Sequence, residues 1–448
     1  SNDPEQEYFS EGLVGEILDR LCRIAALKVI SRTSSSRYKN TDLPIKEIAA
    51  ALGASVIMEG SVQKSGNDIR ISVQLIDAKT DTHLWSKIFS KDYADIFSIY
   101  SEVAQVVAGE MKAVITPEER RLIEEPPTSD LTAYDYLLKG SFHSNKLNEK
   151  DLEIAMQYFE IAKELDPEFA LAYAGIAGVW ICQQQMGIVK VSEAAPKSKE
   201  AIMNALELDS TQSEVHGTLA GRRIWTDWDW DGGEKAYRKA IEINPNNAGA
   251  HSAYSHLLNI LGRPDEAMEQ IEIALELDPL NPQIKAFYGI DLMFIHRFDD
   301  AVTALREALE LSPLHGVALS SLPDALYFAG REQEAIEALK NFFEKWNFPG
   351  LEVVEENFFS ASYTQVNSKI GDYYVERLKI AYIPSLEIAD AYAFAGEVDK
   401  AIYWLEKAYE EHDPGLPYLL FPVYDILRDD PGFQDLARRM DLPYKIEN

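Results

Sequence analysis

Five stretches of this chain close on nearly the same wording: AMQYFEIAKELDP, AIMNALELDS, AYRKAIEINP, AMEQIEIALELDP and AVTALREALELSP. Their last residues are Pro167, Ser210, Pro245, Pro279 and Pro313, separated by 43, 35, 34 and 34 residues. An echo at a fixed period constrains the fold strongly, because one supersecondary unit must recur at each copy. Within the copies, Ala155 and Ala162, Ala267 and Ala274, and Ala301 and Ala308 stand where two helices must approach closely. Phe159, Ile271 and Leu305 fill the space between them. LGRPDEA, HRFDDA and FAGREQEA read as the tight turns between the two helices of a unit. A single helix pair cannot bury its apolar face, so neighbouring pairs stack into a continuous core.

This spacing, with Ala, an apolar residue, Ala and a closing Pro, reads as tetratricopeptide repeats. It predicts six units over 133–347, an irregular Phe- and Tyr-rich helical stretch over 348–385, and a last unit with a short cap over 386–448. In such a superhelix the first helix of each unit lines the inner face. Counting back from the closing residues assigns to that face Thr218, Arg222, Ser252, His256, Asn259, Ala286, Ile290, Phe294, Ser320, Asp324 and Tyr327. The mixture suits an extended or helical peptide, held in side-chain pockets and by hydrogen bonds. Arg222 and His256 are the polar candidates to meet a carboxylate. Two departures mark places for something extra: CQQQMGIVKVSEAAP lengthens one turn, and WTDWDWDGG packs Trp225, Trp228 and Trp230 into another. Packing of that turn, with Asp227 or Asp229 capping a helix, is the plainer expectation.

Residues 1–125 read differently. Leu13, Ile17, Leu21 and Ile24 recur at helical spacing over Phe9–Leu27, and Val29 and Ile30 suggest a short strand. A short helix ends at Gly53, and strands follow over Val56–Gln63, Ile69–Ile76 and Leu84–Phe89, with a turn at Gly66–Asn67. A helix over Ile96–Ile115 completes an α/β layer, and EEPPTSD over 124–130 breaks the pattern, so residues 126–132 form the linker. Asp68, Asp77 and Asp81 fall in turns, where carboxylates bond to their own backbone. Glu59 beside Gly60, within a strand, and His83, on an outer face, are this domain's candidate ligand or partner residues.

Four stretches carry a resemblance: SNDPEQEYFSEGLVGEIL, LKVISRTSS, IKEIAAALGASVIMEGSVQKSGNDIRISVQLIDAKTDTHLW and DIFSIYSEVA. In this order they resemble the TolB-like N-terminal module found beside tetratricopeptide repeats in bacterial signalling proteins. The ending AIYWLEKAYEEHDPGLPYLLFPVYDILRDDPGFQDLARRM resembles the same group. In those relatives a strand like IAVLPF precedes the SNDPE stretch, so the resemblance implies a sheet lacking one strand here. It also implies attachment to nucleotide cyclases, winged-helix regulators or outer-surface lipoproteins. A place outside the inner membrane behind a single span follows from it, with a cytoplasmic place as the alternative.

Composition narrows the function classes. The chain has 74 Asp plus Glu against 43 Lys plus Arg, a formal net charge of -31, which disfavours nucleic acid and anionic membrane faces. No run approaches a membrane span. Cys22 and Cys182 are too few for a metal knuckle or a disulfide framework and read as buried thiols. There is no HExxH, no phosphate-binding glycine loop and no GxSxG, so no catalytic residue, metal or cofactor is assigned. The expectation is an α/β domain followed by an all-α superhelix, working as a non-catalytic scaffold that binds a protein or peptide. Self-association is open. The alternatives are a small-molecule or envelope-signal sensor acting through the α/β domain, and a hydrolase with carboxylates far apart in sequence.

Overall fold

The computed structural model describes residues 14–39, 41–65, 68–92, 95–144 and 146–442. The expected helix start at Phe9, the Gly66–Asn67 turn and the last six residues lie outside that range. Helix α1 covers 14–22, followed by α2 (Arg32–Ser35) and α3 (Ile45–Leu52). Gly53 closes α3 in the left-handed region, at φ 64°, where a Cβ would be strained. Strands β1 (Val56–Ser65), β2 (Asp68–Asp77) and β3 (Thr82–Asp92) form an antiparallel sheet in the order β1-β2-β3. Helices α4 (Ile96–Glu110) and α5 (Pro117–Glu124) follow.

The alternation in β2 explains the layer. Ile69, Ile71, Val73 and Leu75 are buried and share one core with Ile17, Leu21 and Ile24 and with Ile99, Val103 and Val107 of α4. Arg70, Ser72 and Gln74 face the other way, toward the outer side of the sheet, which they share with the exposed Ile88 of β3. The expected strand at Val29–Ile30 does not form. That backbone is committed elsewhere: the Val29 N–H donates to Asn246 Oδ1 (3.1 Å) and the Ser31 N–H to the Leu277 carbonyl (2.8 Å).

Six helical hairpins come next: α6 (Leu131–Ser144) with α7 (Glu149–Leu165), α8 (Ala170–Gln185) with α9 (Val191–Leu208), α10 (Ser213–Trp225) with α11 (Trp230–Ile243), α12 (Ala248–Ile260) with α13 (Pro264–Leu277), α14 (Pro282–Phe294) with α15 (Phe298–Leu311), and α16 (Gly316–Phe328) with α17 (Glu332–Trp346). Helices α18 (Leu351–Asn357) and α19 (Tyr363–Arg377) interrupt the series. A further hairpin, α20 (Ser385–Phe394) with α21 (Val398–Glu411), precedes two 3-10 turns (Leu416–Tyr418 and Pro422–Leu427) and α22 (Pro431–Arg439). The alanines of the repeat are fully buried, as close helix approach requires: Ala155, Ala162, Ala267, Ala274, Ala301 and Ala308 are each 0% exposed.

The turn inside each unit has its own signature. Residues 228, 262, 296 and 330, spaced 34 apart, all hold positive φ. Gly262 and Gly330 adopt it freely, whereas Trp228 (φ 54°) and His296 (φ 58°) carry side chains there. The Trp228 side chain faces His412 of the C-terminal segment, and the His296 ring meets Phe298 edge-on.

Candidate interaction face of the repeat superhelix

The chain itself covers much of the face expected to line the inside of the superhelix. The superhelix brings the C-terminal unit back across the third to fifth units. His256 on α12 faces the Tyr418 hydroxyl (Nδ1 to Oη, 3.1 Å), and Phe294 on α14 meets Tyr418 and Phe421 with centroids 6.4 and 5.3 Å apart. His412 donates from Nε2 to the Thr226 carbonyl (2.8 Å) and stacks on Trp228 at 3.7 Å, with 15° between the planes. Trp230 donates its indole N–H to the Met440 carbonyl (2.8 Å). The tryptophan-rich turn is thus used for packing. Asp229 caps α11 by accepting from the Gly232 N–H (3.0 Å), and Asp227 pairs with Arg222 (Nη2 to Oδ1, 2.8 Å).

Expectations for single inner-face residues therefore divide. Arg222, Ser252, His256 and Asn259 are buried, as is Ala286, so they are not open to a partner. Arg222, the candidate for a partner carboxylate, already holds Asp227. Burial pushes the His256 imidazole down to about 3, so it is neutral and cannot form the expected charge-assisted contact. Thr218, Ile290, Phe294, Asp324 and Tyr327 are partly exposed, and Ser320 is exposed. Tyr327 stacks on Tyr363 of α19 at 4.7 Å, and the Tyr363 hydroxyl donates to Asp324 (3.2 Å).

Behind the covered stripe lies a polar group that periodicity could not reveal. Asn259 Nδ2 donates to Asp291 Oδ1 (2.6 Å), and His256 Nε2 stands 3.9 Å from the same oxygen. Asp291 is 0% exposed, and burial holds its carboxyl well above the usual range by disfavouring the charged form. A lone Asp inside an apolar helix word, GIDLMF, was the available signal.

A second acidic group gathers between α16 and α20. Asp324 and Asp390 are half-buried there, and Glu387 is exposed. Burial, reinforced by Glu387, pushes Asp324 up to about 8. Burial, reinforced by Asp413, pushes Glu387 up to about 7. Burial also raises Asp390, which accepts from the Tyr424 hydroxyl. These carboxyl groups ionise more readily beside a cation than without one.

In the α/β domain the two candidates stand apart. Glu59 lies on the outward face of β1 and accepts from Gln74 Nε2 (2.7 Å), so it is not a core carboxylate. His83 is exposed on β3, beside an irregularity in register between Leu75 and Ile76. Cys22 and Cys182 are free thiols, both pushed up by burial, Cys182 to about 11. Among the described residues no group of three or more His, Cys, Asp or Glu is arranged to hold a metal, and no helix is long and apolar enough to cross a membrane.

Models of the tetratricopeptide repeat family match residues 236–269 and 289–341. A protein of Rhizobium meliloti (strain 1021) named "Putative adenylate cyclase 3" is 31% identical over 230 residues, which are 50% of this chain and 38% of that protein. The chain therefore spans well under half of that relative's length. Among solved structures, a thermophilic tetratricopeptide repeat protein of Thermus thermophilus is 18% identical, with a TM-score of 0.36 over 44% of this chain and 99% of that one. The human IFIT1 dimer with m7Gppp-AAAA is 16% identical, with a TM-score of 0.43 over 71% of this chain and 78% of that one. The hairpin series and the two family matches together show that this chain carries tetratricopeptide repeats ahead of a C-terminal helical closure and behind a small three-stranded α/β part.

Proposed function

We propose that this chain is a non-catalytic, partner-holding segment of a larger signalling protein, with the repeat superhelix as the gripping element. The carrying observation is that Thr218, Ile290 and Asp324, on three first helices, stay partly exposed beside the C-terminal closure. Repeat proteins of this class serve generally as protein-interaction scaffolds, and stacked first helices offer a stripe to an extended or helical segment. The carboxyls between α16 and α20 favour a partner that presents a cationic side chain, which would also lower the cost of ionising Asp324 and Glu387. The similarity to a protein named as an adenylate cyclase supports a cyclase-linked signalling context, and the TolB-like resemblance supports a sensing or docking task for the α/β domain.

A photo-crosslinking residue at position 218 or 290, with position 303 on the outward face of α15 as control, tests this reading in the whole chain. The expected result is one partner protein, captured from 218 and 290 but not from 303. That capture should weaken in the Asp324→Asn, Glu387→Gln double variant. Equal capture from all three positions, or none from the inner pair, would reject the stripe as the gripping face.

A further inference from the structure

The α/β domain does more than precede the repeats: it runs along one rim of them. Five successive turns between units each receive a bond from residues 22–37 or from the exit linker. At the first, Thr128 of the linker donates to Asp166 Oδ2 (2.5 Å). At the second, Arg23 Nη2 donates to Gln212 Oε1 (3.1 Å). At the third, Asn246 Nδ2 donates to the Cys22 and Leu27 carbonyls (2.9 Å each), while its Oδ1 accepts from the Val29 N–H (3.1 Å). At the fourth, the Ser31 N–H reaches the Leu277 carbonyl (2.8 Å), and Ser34 Oγ accepts from the Leu280 N–H (2.8 Å) and donates to Asp278 (2.5 Å). At the fifth, Arg37 Nη2 donates to the Leu311 carbonyl (3.4 Å).

These contacts keep the repeat's own register. Gln212, Asn246 and Leu280 are 34 residues apart, as are Leu277 and Leu311. The next equivalent position, Leu314, lies in the fifth turn and is 64% exposed. The segment is therefore a strap of fixed length laid across consecutive copies of one turn.

We propose that this strap is a brace coupling the α/β domain to the curvature of the superhelix. A stacked-repeat array flexes by small changes in the spacing of adjacent units, summed along the stack. The strap fixes several of those spacings at once, and α1, which leads into it, is core to the α/β layer through Ile17 and Leu21. A change of curvature must break rungs or shift α1, and loosening the α/β core must relax the rim. The exposed Arg37 rung, the longest of the series, is the first to yield. The coupling holds whatever the partner's identity, so it stands or falls separately from the gripping face.

Hydrogen exchange on the whole chain tests it through a cycle of variants. Ile99→Val loosens the α/β core at a fully buried site that touches no rung. With the strap intact, exchange in α11 and α13 should rise roughly threefold. In the Asn246→Ala, Ser34→Ala background the same Ile99→Val change should leave α11 and α13 where that background already sets them. The reverse arm, Ile271→Val on α13 read at α4, should show the same dependence on the strap. Unchanged exchange in α11 and α13 with the strap intact, or an equal rise in both backgrounds, overturns the brace. Should Ile99→Val prove too mild to alter even α4, Ile99→Ala takes its place with the same two readings.

Discussion

Positive φ at the intra-unit turn offers a perturbation whose sign can be worked out in advance. At Gly330 the φ is 74° and a Cβ would meet nothing within 4 Å, so Gly330→Ala isolates backbone conformation. Its expected cost is about 1–2 kcal/mol, the penalty of a Cβ in the left-handed region. Trp228 occupies the equivalent turn at φ 54°, stacked on His412 at 3.7 Å and tilted against Tyr409 at 5.5 Å. Removing its ring by Trp228→Ala keeps the strain and loses the packing, about 3 kcal/mol for a partly buried aromatic. Trp228→Gly loses the same packing but releases the strain, so it should be more stable than Trp228→Ala by about 1–2 kcal/mol. The assay is equilibrium urea unfolding of all three variants, with hydrogen exchange in α10 and α11 reporting the local change. Trp228→Gly at or below the stability of Trp228→Ala would refute the reasoning, as would a neutral Gly330→Ala.

Three further outcomes are expected. Tyr418→Phe should cost about 1 kcal/mol, by deleting the hydroxyl that faces His256, whereas Tyr418→Ala should cost about 3–5 kcal/mol and raise exchange in α12 and α14, read by the same unfolding and exchange assays. Glu234 accepts from Tyr254, Arg238 and Arg263 and is lowered to about 2, against the resistance of burial. Its stabilisation is therefore complete above about pH 4.5 and lost as pH falls toward 2, and Glu234→Gln should flatten that acid limb in a pH series of unfolding midpoints. Asp324 has the opposite sign: its folded carboxyl is raised to about 8, so stability declines as pH rises from about 4 toward 8, and Asp324→Asn should gain on the wild type at pH 8 and lose that advantage at pH 4.

How far the sequence can be read depends on the range of the interaction. Repeat units, their turns and the strands at 56–65, 68–77 and 82–92 announce themselves because each depends on neighbours within one period. Inner-face positions such as His256 and Asn259 fall on the expected helix, yet their accessibility depends on Tyr418, 162 residues away from His256. Val29 and Ile30 have strand-forming side chains, but Asn246 and Leu277 take up the backbone around them, a contact that local propensity cannot encode. Asp291 can be seen as an odd letter in an apolar helix, though not as the partner of Asn259 on the facing helix.

Closure by the last unit also bears on how the molecule is made. An open array of repeats can assemble copy by copy as it leaves the ribosome, because each copy needs only its neighbours. Here the indole of Trp230 waits for the carbonyl of Met440, 210 residues downstream. Until that distant stretch is synthesised, Phe294 lacks the Tyr418 and Phe421 rings that pack on it in the finished molecule.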